Sequence, residues 1–257
     1  MFFNYSPFNL CFFLVLAISF VLYRVCLMLC RRKGRAFAKK LLMWIMIAAF
    51  LCFFGYKYCL SVDAEYAAIP EIAAVGPFDW WAELPLYLCN VNIWLLPIGL
   101  ALNNRTFLSF CFFTGPVGAL MALIMPCAGF YDCSIFLPRM IGYLGLHLIG
   151  FWGCLSLYPL GFYSPEYKDA KSVSCFSLLL ITVIYGIIRL LRWAKLSAEP
   201  NYFYLIDPKG NPILEMLHNL IPYEFLYILP CLIIVVLICL LFTAFVKIVK
   251  PPVVKYE

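Results

Sequence analysis

The chain has 257 residues, of which 65% are hydrophobic and only 12% are charged, and its mean hydropathy is +0.95. A soluble domain is nearer half apolar and a quarter charged, so this composition excludes a soluble globular domain and predicts a polytopic membrane protein. The net charge of +6 does not indicate a nucleic-acid partner, because the basic residues are grouped around the ends of apolar segments.

Seven apolar segments approach the roughly 20 residues that a membrane-spanning helix needs. In chain order they cover about residues 7–29, 41–60, 84–102, 107–130, 137–157, 173–191 and 225–246. The predicted fold class is therefore all-α, a bundle of seven transmembrane helices that forms a single membrane domain over residues 1–257. The first segment is not predicted to be a cleaved signal peptide, because it is long and its basic cluster follows it.

The basic residues predict the orientation of this bundle. The sequence "RRKGRAFAKK", residues 31–40, lies between the first two predicted spans, and such clusters stay on the cytoplasmic side. The N-terminus is then outside and the C-terminus inside. Of the nineteen Lys and Arg residues, thirteen fall inside, and six fall outside: Lys57, Arg139, Arg189, Arg192, Lys195 and Lys209.

Two predicted outer loops are long, at residues 61–83 and 192–224. The first contains Trp80 and Trp81, which are typical of an interfacial aromatic belt. The second has apolar residues at helical spacing between Ile213 and Ile221. This spacing predicts a short amphipathic helix on the outer membrane surface.

The thirteen cysteines predict neither a metal site nor a cofactor. Most lie within apolar runs, where a free thiol behaves as a small hydrophobe. No CxxC pair occurs, so a zinc or redox motif has no support. Cys59 and Cys133 fall near predicted span ends, and a disulfide between them is left open.

The predicted third span carries several polar residues in "LPLYLCNVN", namely Tyr87, Cys89, Asn90 and Asn92. Polar groups inside a membrane segment are costly, which makes them candidates for function. Helical rotation places Cys89 with Asn92 on one face and Tyr87 with Asn90 on another.

The predicted fifth span carries His147, the only histidine inside a predicted span, with Tyr143 on the same face. Counted from Glu83 and Arg139, Cys89 and His147 lie roughly 9 Å and 12 Å into their spans at 1.5 Å per residue. This similar depth predicts that the thiol and the imidazole are neighbours.

A thiol and an imidazole together favour acyl transfer in the membrane. Cys89 is predicted to be the nucleophile and His147 the general base that takes its proton. Asn90 or Asn92 would donate a hydrogen bond to the developing oxyanion, and Tyr87 and Tyr143 would contact substrate. The predicted partners are membrane lipids and not nucleic acid. The structural alternative is that the thiol only packs and the imidazole only joins helices.

The motifs "LPLYLCN", "GPVGALMALIMP" and "NYFYL", together with the single His of span five, resemble the YwaF-like family of bacterial seven-helix membrane proteins. That family is similar to animal transmembrane protein 164, and the resemblance covers about residues 84–230. It implies a bacterial plasma-membrane protein and a cysteine-centred phospholipid acyltransferase with Cys89 as the reactive cysteine and His147 as its partner. Asn201 and Tyr202 match an "NY" element of the family at the mouth of span six, which implies substrate binding.

The chain departs from the family pattern at Tyr87, where the resemblance leads us to expect His. Tyr can donate a hydrogen bond but does not act as a base near neutral pH.

Two other classes of function stay open. One is a transporter or channel with Asn90, Asn92, Tyr143 and His147 along a polar path, although no carboxylate lies mid-membrane. The other is a non-enzymatic membrane scaffold.

Overall fold

The structure, a computed structural model, describes residues 3–74, 76–127, 129–209 and 211–256. These residues form ten α-helices and one two-stranded antiparallel sheet, so the predicted all-α class is confirmed. The strands are β1 (Asn4–Tyr5) and β2 (Cys133–Ser134). The helices are α1 (Leu10–Lys33), α2 (Arg35–Ser61), α3 (Ala64–Ala67), α4 (Pro70–Ala73), α5 (Leu88–Leu102), α6 (Arg105–Ile124), α7 (Pro138–Leu155), α8 (Asp169–Trp193), α9 (Pro212–Leu220) and α10 (Cys231–Val249).

Five helical segments of the described chain are long and apolar enough to cross a membrane. They are α1, α2, α6, α8 and Leu226–Val249, in which a 3-10 turn leads into α10. The helix α5 is apolar but has only 15 residues, which is roughly 22 Å at 1.5 Å per residue, and α7 carries Arg139 in its first turn. The chain is therefore a multi-pass membrane protein, and the count of seven spans stays a prediction.

The predicted basic loop between the first two spans is helical. Only Gly34 separates α1 from α2, and its φ of 88° lies in the left-handed region that glycine adopts readily. Arg and Lys are good helix formers, and Arg31, Arg32 and Lys33 complete the last turn of α1, where cations complement the helix dipole.

The chain divides into two compact units. Unit 1 comprises Met1–Phe78, Cys89–Ser164 and Pro252–Glu257, and unit 2 comprises Asp79–Leu88 and Pro165–Pro251. Unit 1 contains both strands and the helices α1 to α7. Unit 2 contains α8, α9 and α10.

The ends of the helices in unit 1 meet in two groups of contacts. One is the basic end, near residues 31–40, and the other is the acidic end, near Asp63. At the basic end, the Arg35 guanidinium donates to the carbonyl of Gly161 at 3.1 Å, and Lys39 Nζ donates to Asn103 Oδ1 at 3.1 Å. At the acidic end, β1 pairs with β2, and the Tyr5 hydroxyl donates to the carbonyl of Leu123 at 2.6 Å. Successive long helices of unit 1 therefore run in alternating directions.

Glycines on α6 and α7 let the helices of unit 1 approach closely. A Cβ at Gly142 would lie 2.5 Å from Tyr56 Cδ2, and one at Gly153 would lie 2.6 Å from Met46 Sδ, both on α2. A Cβ at Gly115 of α6 would lie 2.8 Å from Cys154 Cβ. At these three positions the absence of a side chain lets the helices come close.

We expect Gly142→Ala to lower the thermal midpoint of the purified protein, because the methyl group would collide with the Tyr56 ring. Overpacking of this kind costs about 1–3 kcal/mol. Gly145→Ala is the matched control on the same helix, since a Cβ there has no neighbour within 4 Å. Equal midpoints for the two variants in a thermal melt would contradict this packing.

At the acidic end of unit 1, a buried ion pair joins α7 to the segment that follows α2. Arg139 Nη1 lies 2.6 Å from Asp63 Oδ2, and the two side chains are only 6% and 20% exposed. Burial by itself raises the pKa of Asp63, but hydrogen bonds from the Tyr66 amide and the Arg139 guanidinium outweigh it and hold the pKa below its ordinary value. Arg139, which the sequence predicts to lie outside the membrane, is therefore paired with a carboxylate of the segment that follows α2.

We expect Asp63→Asn to destabilise the protein by about 1.5–3 kcal/mol near neutral pH, because it removes the charge-assisted hydrogen bond to Arg139 and leaves only Glu65, 3.8 Å from Nη1, as a carboxylate partner. Since the folded-state pKa of Asp63 is lowered, the ion pair stabilises fully above about pH 4 and is lost as pH falls through the folded pKa. Thermal melts between pH 3 and 7 should therefore show the Asn variant converging on the wild type at low pH. Glu71→Gln, at an exposed carboxylate of α4, should show no such dependence.

All thirteen cysteines lie among the described residues, and all are free thiols. No disulfide joins Cys59 and Cys133. Instead, Cys133 Sγ lies 3.3 Å from the carbonyl oxygens of Gly129 and Tyr131, within the connection between α6 and α7.

In unit 2 the predicted amphipathic helix is present as α9. Leu214 is buried, whereas Ile213, Met216 and Leu220 are exposed on an apolar face.

The basic residues at the end of α8 form ion pairs with a carboxylate. Glu224 lies 3.4 Å from Arg189 Nη1 and 3.7 Å from Arg192 Nη1.

Candidate functional site

The helix that carries the candidate nucleophile begins later than predicted. The third span was expected from residue 84, but α5 begins at Leu88. Pro85 has no N–H to donate, and the residue before a proline is disfavoured in helical conformation. Tyr87 therefore lies outside the helix, so the predicted shared face of Tyr87 and Asn90 and the depth counted from Glu83 are both wrong.

As a result, Cys89 lies in the first turn of α5. Backbone N–H groups in a first turn have no acceptor within the helix, and the helix dipole is positive there. The sulfur interacts with the backbone N–H of Asn90, and both side chains are partly buried. Among the described residues, nothing forms a hydrogen bond with the side-chain amide of Asn90.

Asn92 is placed differently, in the contact between helices. It is completely buried, and its Oδ1 accepts a hydrogen bond from Thr114 Oγ1 of α6 at 3.3 Å. The Cys111 thiol, also on α6, lies 3.9 Å from the Asn92 carbonyl oxygen. Asn92 therefore joins α5 to α6.

The imidazole of His147 is held in one orientation by its own helix. Its Nδ1 lies 2.7 Å from the carbonyl oxygen of Tyr143, which can only accept, so Nδ1 carries the proton. In the neutral ring Nε2 is then an unprotonated base. The Tyr143 ring lies 4.5 Å from the imidazole and stacks on Phe130, while its hydroxyl donates to the carbonyl of Ala122.

Lys57 of α2 is the residue that the sequence analysis missed at this site. Its ammonium lies over the Phe53 and Tyr56 rings, and its charge is within electrostatic range of both the Cys89 thiol and the His147 imidazole. No hydrogen bond joins Cys89 to His147 among the described residues. The available signal was that Lys57 is the only charged residue within the predicted span 41–60.

The other candidate residues, Tyr87, Asn201 and Tyr202, belong to unit 2. The Tyr87 ring packs edge-on against Tyr202, with ring centroids 5.6 Å apart. Tyr202 is fully buried and donates its hydroxyl proton to the carbonyl of Trp81. Burial raises the pKa of Tyr202, which keeps the phenol neutral and able to donate.

Asn201 closes the loop that follows the 3-10 turn. Its Nδ2 donates to the carbonyl of Asp207 at 2.7 Å, and its Oδ1 accepts from the backbone N–H of Ile206 at 3.0 Å and of Asp207 at 3.3 Å. The side chain also lines a cavity of about 620 Å³. The charged residues around this cavity are Arg192, Lys195, Glu199, Asp207 and Lys209.

We expect Asn201→Ala to open this loop, because it leaves the backbone partners at 206 and 207 without their amide. An unsatisfied partly buried group costs about 1–3 kcal/mol. Faster limited proteolysis between residues 201 and 209 would report the opening. Asn201→Asp keeps the acceptor oxygen for the two backbone N–H groups but places a buried carboxylate oxygen against the Asp207 carbonyl, so it should also open the loop if the donor bond is needed. A loop equally protected in Asn201→Ala and the wild type would show that these bonds do not hold it.

The described residues contain no group of three or more His, Cys, Asp or Glu side chains that could hold a metal ion.

The long apolar helices and the alternating directions within unit 1 define a multi-pass integral membrane protein. Residues 3–243 match the model of the TMEM164 family, and the chain belongs to that family. Searches among curated proteins and among solved structures found no match. The bacterial YwaF-like assignment stays a prediction.

Proposed function

We propose that this protein is a membrane-embedded lipid acyltransferase, or a related thioesterase-like lipid hydrolase, in which Cys89 is the nucleophile and His147 the general base. The observation that carries the proposal is the first turn of α5. The Cys89 thiol lies there at a helix N-terminus, and the base that we assign to it, His147, has an unprotonated Nε2. Membership of the TMEM164 family supports a lipid environment for such a site.

The reaction has two half-reactions. In the first, the Cys89 sulfur attacks the ester carbonyl of a phospholipid while its proton passes to Nε2 of His147. The carbon–sulfur bond forms, the ester carbon–oxygen bond breaks, and the leaving alcohol of the lysolipid takes the proton from the imidazolium. In the second, an acceptor alcohol, or water in the hydrolase, gives its proton to Nε2 and attacks the thioester, which releases the Cys89 thiolate, and the imidazolium returns the proton to that sulfur.

Asn90 is the better donor to the oxyanion of each intermediate. Its amide has no hydrogen bond within the described chain and adjoins Cys89, whereas the amide of Asn92 is committed to the contact with α6. Tyr143 acts through His147, because its carbonyl fixes the imidazole tautomer. We assign it a positioning role.

The topology that goes with this function is a single domain of seven spans with the N-terminus outside and the C-terminus inside. The basic end of unit 1, with Arg35, Lys39 and the neighbouring Arg31–Lys33, would face the cytoplasm. The site near Lys57 would then lie in the outer half of the bundle. The resemblance to bacterial YwaF-like proteins favours the plasma membrane of a bacterium as the location.

The cavity of unit 2 suits an anionic headgroup. Arg192, Lys195 and Lys209 line a space of about 620 Å³ together with Glu199 and Asp207, so cations exceed anions there. Under the proposed topology this cavity would lie at the outer surface, where a phosphate could be bound by several donors.

The test uses purified protein reconstituted into vesicles that contain a phospholipid with an isotope-labelled acyl chain and an unlabelled lysophospholipid acceptor. We expect labelled acyl chain on the acceptor and, by intact-mass measurement, a hydroxylamine-sensitive acyl adduct on the protein. Cys89→Ala should abolish both signals, and His147→Gln should slow transfer by about 10²–10⁴-fold.

Cys127→Ala is the matched control, because Cys127 is another thiol that interacts with Cys89 but has no role in the reaction. It should transfer acyl chains at the rate of the wild type. Transfer that persists in Cys89→Ala, or an adduct that maps to another cysteine, would overturn the proposal. Absence of any transfer, combined with solute flux across the same vesicles, would favour a transporter.

A further inference from the structure

Three helices of unit 1 enclose a second cavity, toward the basic end. Its volume is about 340 Å³, which lies in the range of ligand pockets. The wall is formed by residues between positions 19 and 30 of α1, between 38 and 45 of α2 and between 145 and 153 of α7. Neither Cys89 nor His147 lines it, so this cavity is separate from the candidate site described above.

The wall of this cavity is mostly apolar, because polar side chains at its deep end bond within the protein. Trp152 Nε1 donates to Ser19 Oγ at 3.0 Å, and Ser19 Oγ donates to the carbonyl of Leu16 at 2.8 Å. The Tyr23 ring stacks on the Trp152 indole, with ring centroids 4.6 Å apart. An apolar cavity excludes water and takes an apolar ligand. In a membrane protein the most abundant apolar ligand is a lipid chain.

The cavity has about the length of one membrane leaflet. Ser19 lies near the middle of α1, and Cys30 lies about one turn before its basic end. The two residues are separated along the helix by roughly 16 Å at 1.5 Å per residue. Half of a hydrocarbon core of about 30 Å is about 15 Å. A lipid chain of the leaflet at the basic end therefore matches the cavity in length as well as in polarity.

Two exposed cations continue the faces of α1 and α2 that line the cavity. Lys33 is three residues after Cys30, and Arg35 is three residues before Ala38, so each is a helical neighbour of a wall residue. Arg35 is held at this end, because its guanidinium donates to the carbonyl of Gly161 at 3.1 Å, next to the wall residue at position 160.

The helices around the cavity carry no negative charge. The sequence has no Asp or Glu in residues 1–62 or 133–165, which contain α1, α2 and α7. The basic end of the cavity is therefore complementary to an anion. Basic pockets between membrane helices bind the head groups of anionic lipids.

We propose that this cavity binds one acyl chain of an anionic phospholipid from the leaflet at the basic end, with the lipid phosphate bound by Lys33 and Arg35. The chain fills the apolar space between α1, α2 and α7, and the guanidinium and ammonium groups donate to the phosphate oxygens. This inference goes beyond the reaction proposed for Cys89 and does not depend on it.

The test measures lipid binding to the full chain in detergent by native mass spectrometry. The probes are dioleoyl phosphatidylglycerol, which is anionic, and dioleoyl phosphatidylcholine, which has the same chains and no net charge. We expect one phosphatidylglycerol to bind the wild type about tenfold or more tightly than phosphatidylcholine, because two cations favour the anionic lipid. Lys33→Gln combined with Arg35→Gln should remove this preference.

The matched control for charge is Arg32→Gln combined with Lys40→Gln. Arg32 and Lys40 are exposed, and each lies two residues from a wall residue, on the opposite face of its helix. This variant loses the same two charges from the same basic segment. It should keep the preference for phosphatidylglycerol.

Gly145→Leu tests the cavity itself. Gly145 lines the cavity, and a Cβ there would meet no atom within 4 Å, so the leucine occupies the space without a collision at Cβ. We expect it to weaken the binding of phosphatidylglycerol at least about tenfold, because the chain loses the burial of several methylene groups. Gly186→Leu, at an equally open glycine of α8, should bind as the wild type does. Thermal melts identify the variants that remain folded, and only those are compared.

Equal affinities of the wild type for the two lipids would overturn the inference, and so would unchanged binding of phosphatidylglycerol to folded Gly145→Leu. Light scattering after size-exclusion chromatography tests a different occupant. A wild-type dimer that becomes a monomer in Gly145→Leu would assign the cavity to a second copy of the chain and would also overturn the inference. A preference for phosphatidylglycerol that persists without Lys33 and Arg35 would contradict their role in binding the phosphate.

Discussion

The Tyr56 ring packs directly against the backbone of α7 at Gly142, and the rest of unit 1 depends on this contact. Without a side chain at Gly142, α2 and α7 approach closely enough for α2 to contribute to a site on α7. The residue after Tyr56 is Lys57, and the residue after Gly142 is Tyr143. One close approach between two helices therefore sets the positions of the cation and of the tyrosine that holds His147.

The late start of α5, at Leu88, determines the surroundings of Cys89. A cysteine in the middle of an apolar helix has no exposed backbone donors near its sulfur and is inert. Cys89 lies instead in the first turn of α5, where the backbone N–H groups have no acceptor within the helix. The helix dipole is positive at this end of α5, and Nε2 of His147 is unprotonated and able to accept a proton.

The polar residues of the chain fall into two groups. Asn92, Tyr143, Asn201 and Tyr202 use their polar atoms in hydrogen bonds that join helices or close loops. In a membrane protein such groups need partners inside the protein, because lipid offers none. The side-chain amide of Asn90 and Nε2 of His147 have no hydrogen-bond partner in the described chain, and under the proposed function these atoms, with the Cys89 sulfur, would meet the lipid substrate.

The sequence by itself determined the class of this protein, the approximate positions of its long helices, and the choice of Cys89 and His147 as candidates. Those features are local, because they depend on composition, periodicity and residue type within one segment. The tertiary structure alone decided the helical junction at Gly34, the partner of Arg139, the role of Asn92 and the presence of Lys57 within electrostatic range of both candidates. Each of these depends on which side chains from distant segments come within a few ångströms, and helical spacing along one segment carries no information about the neighbouring helix.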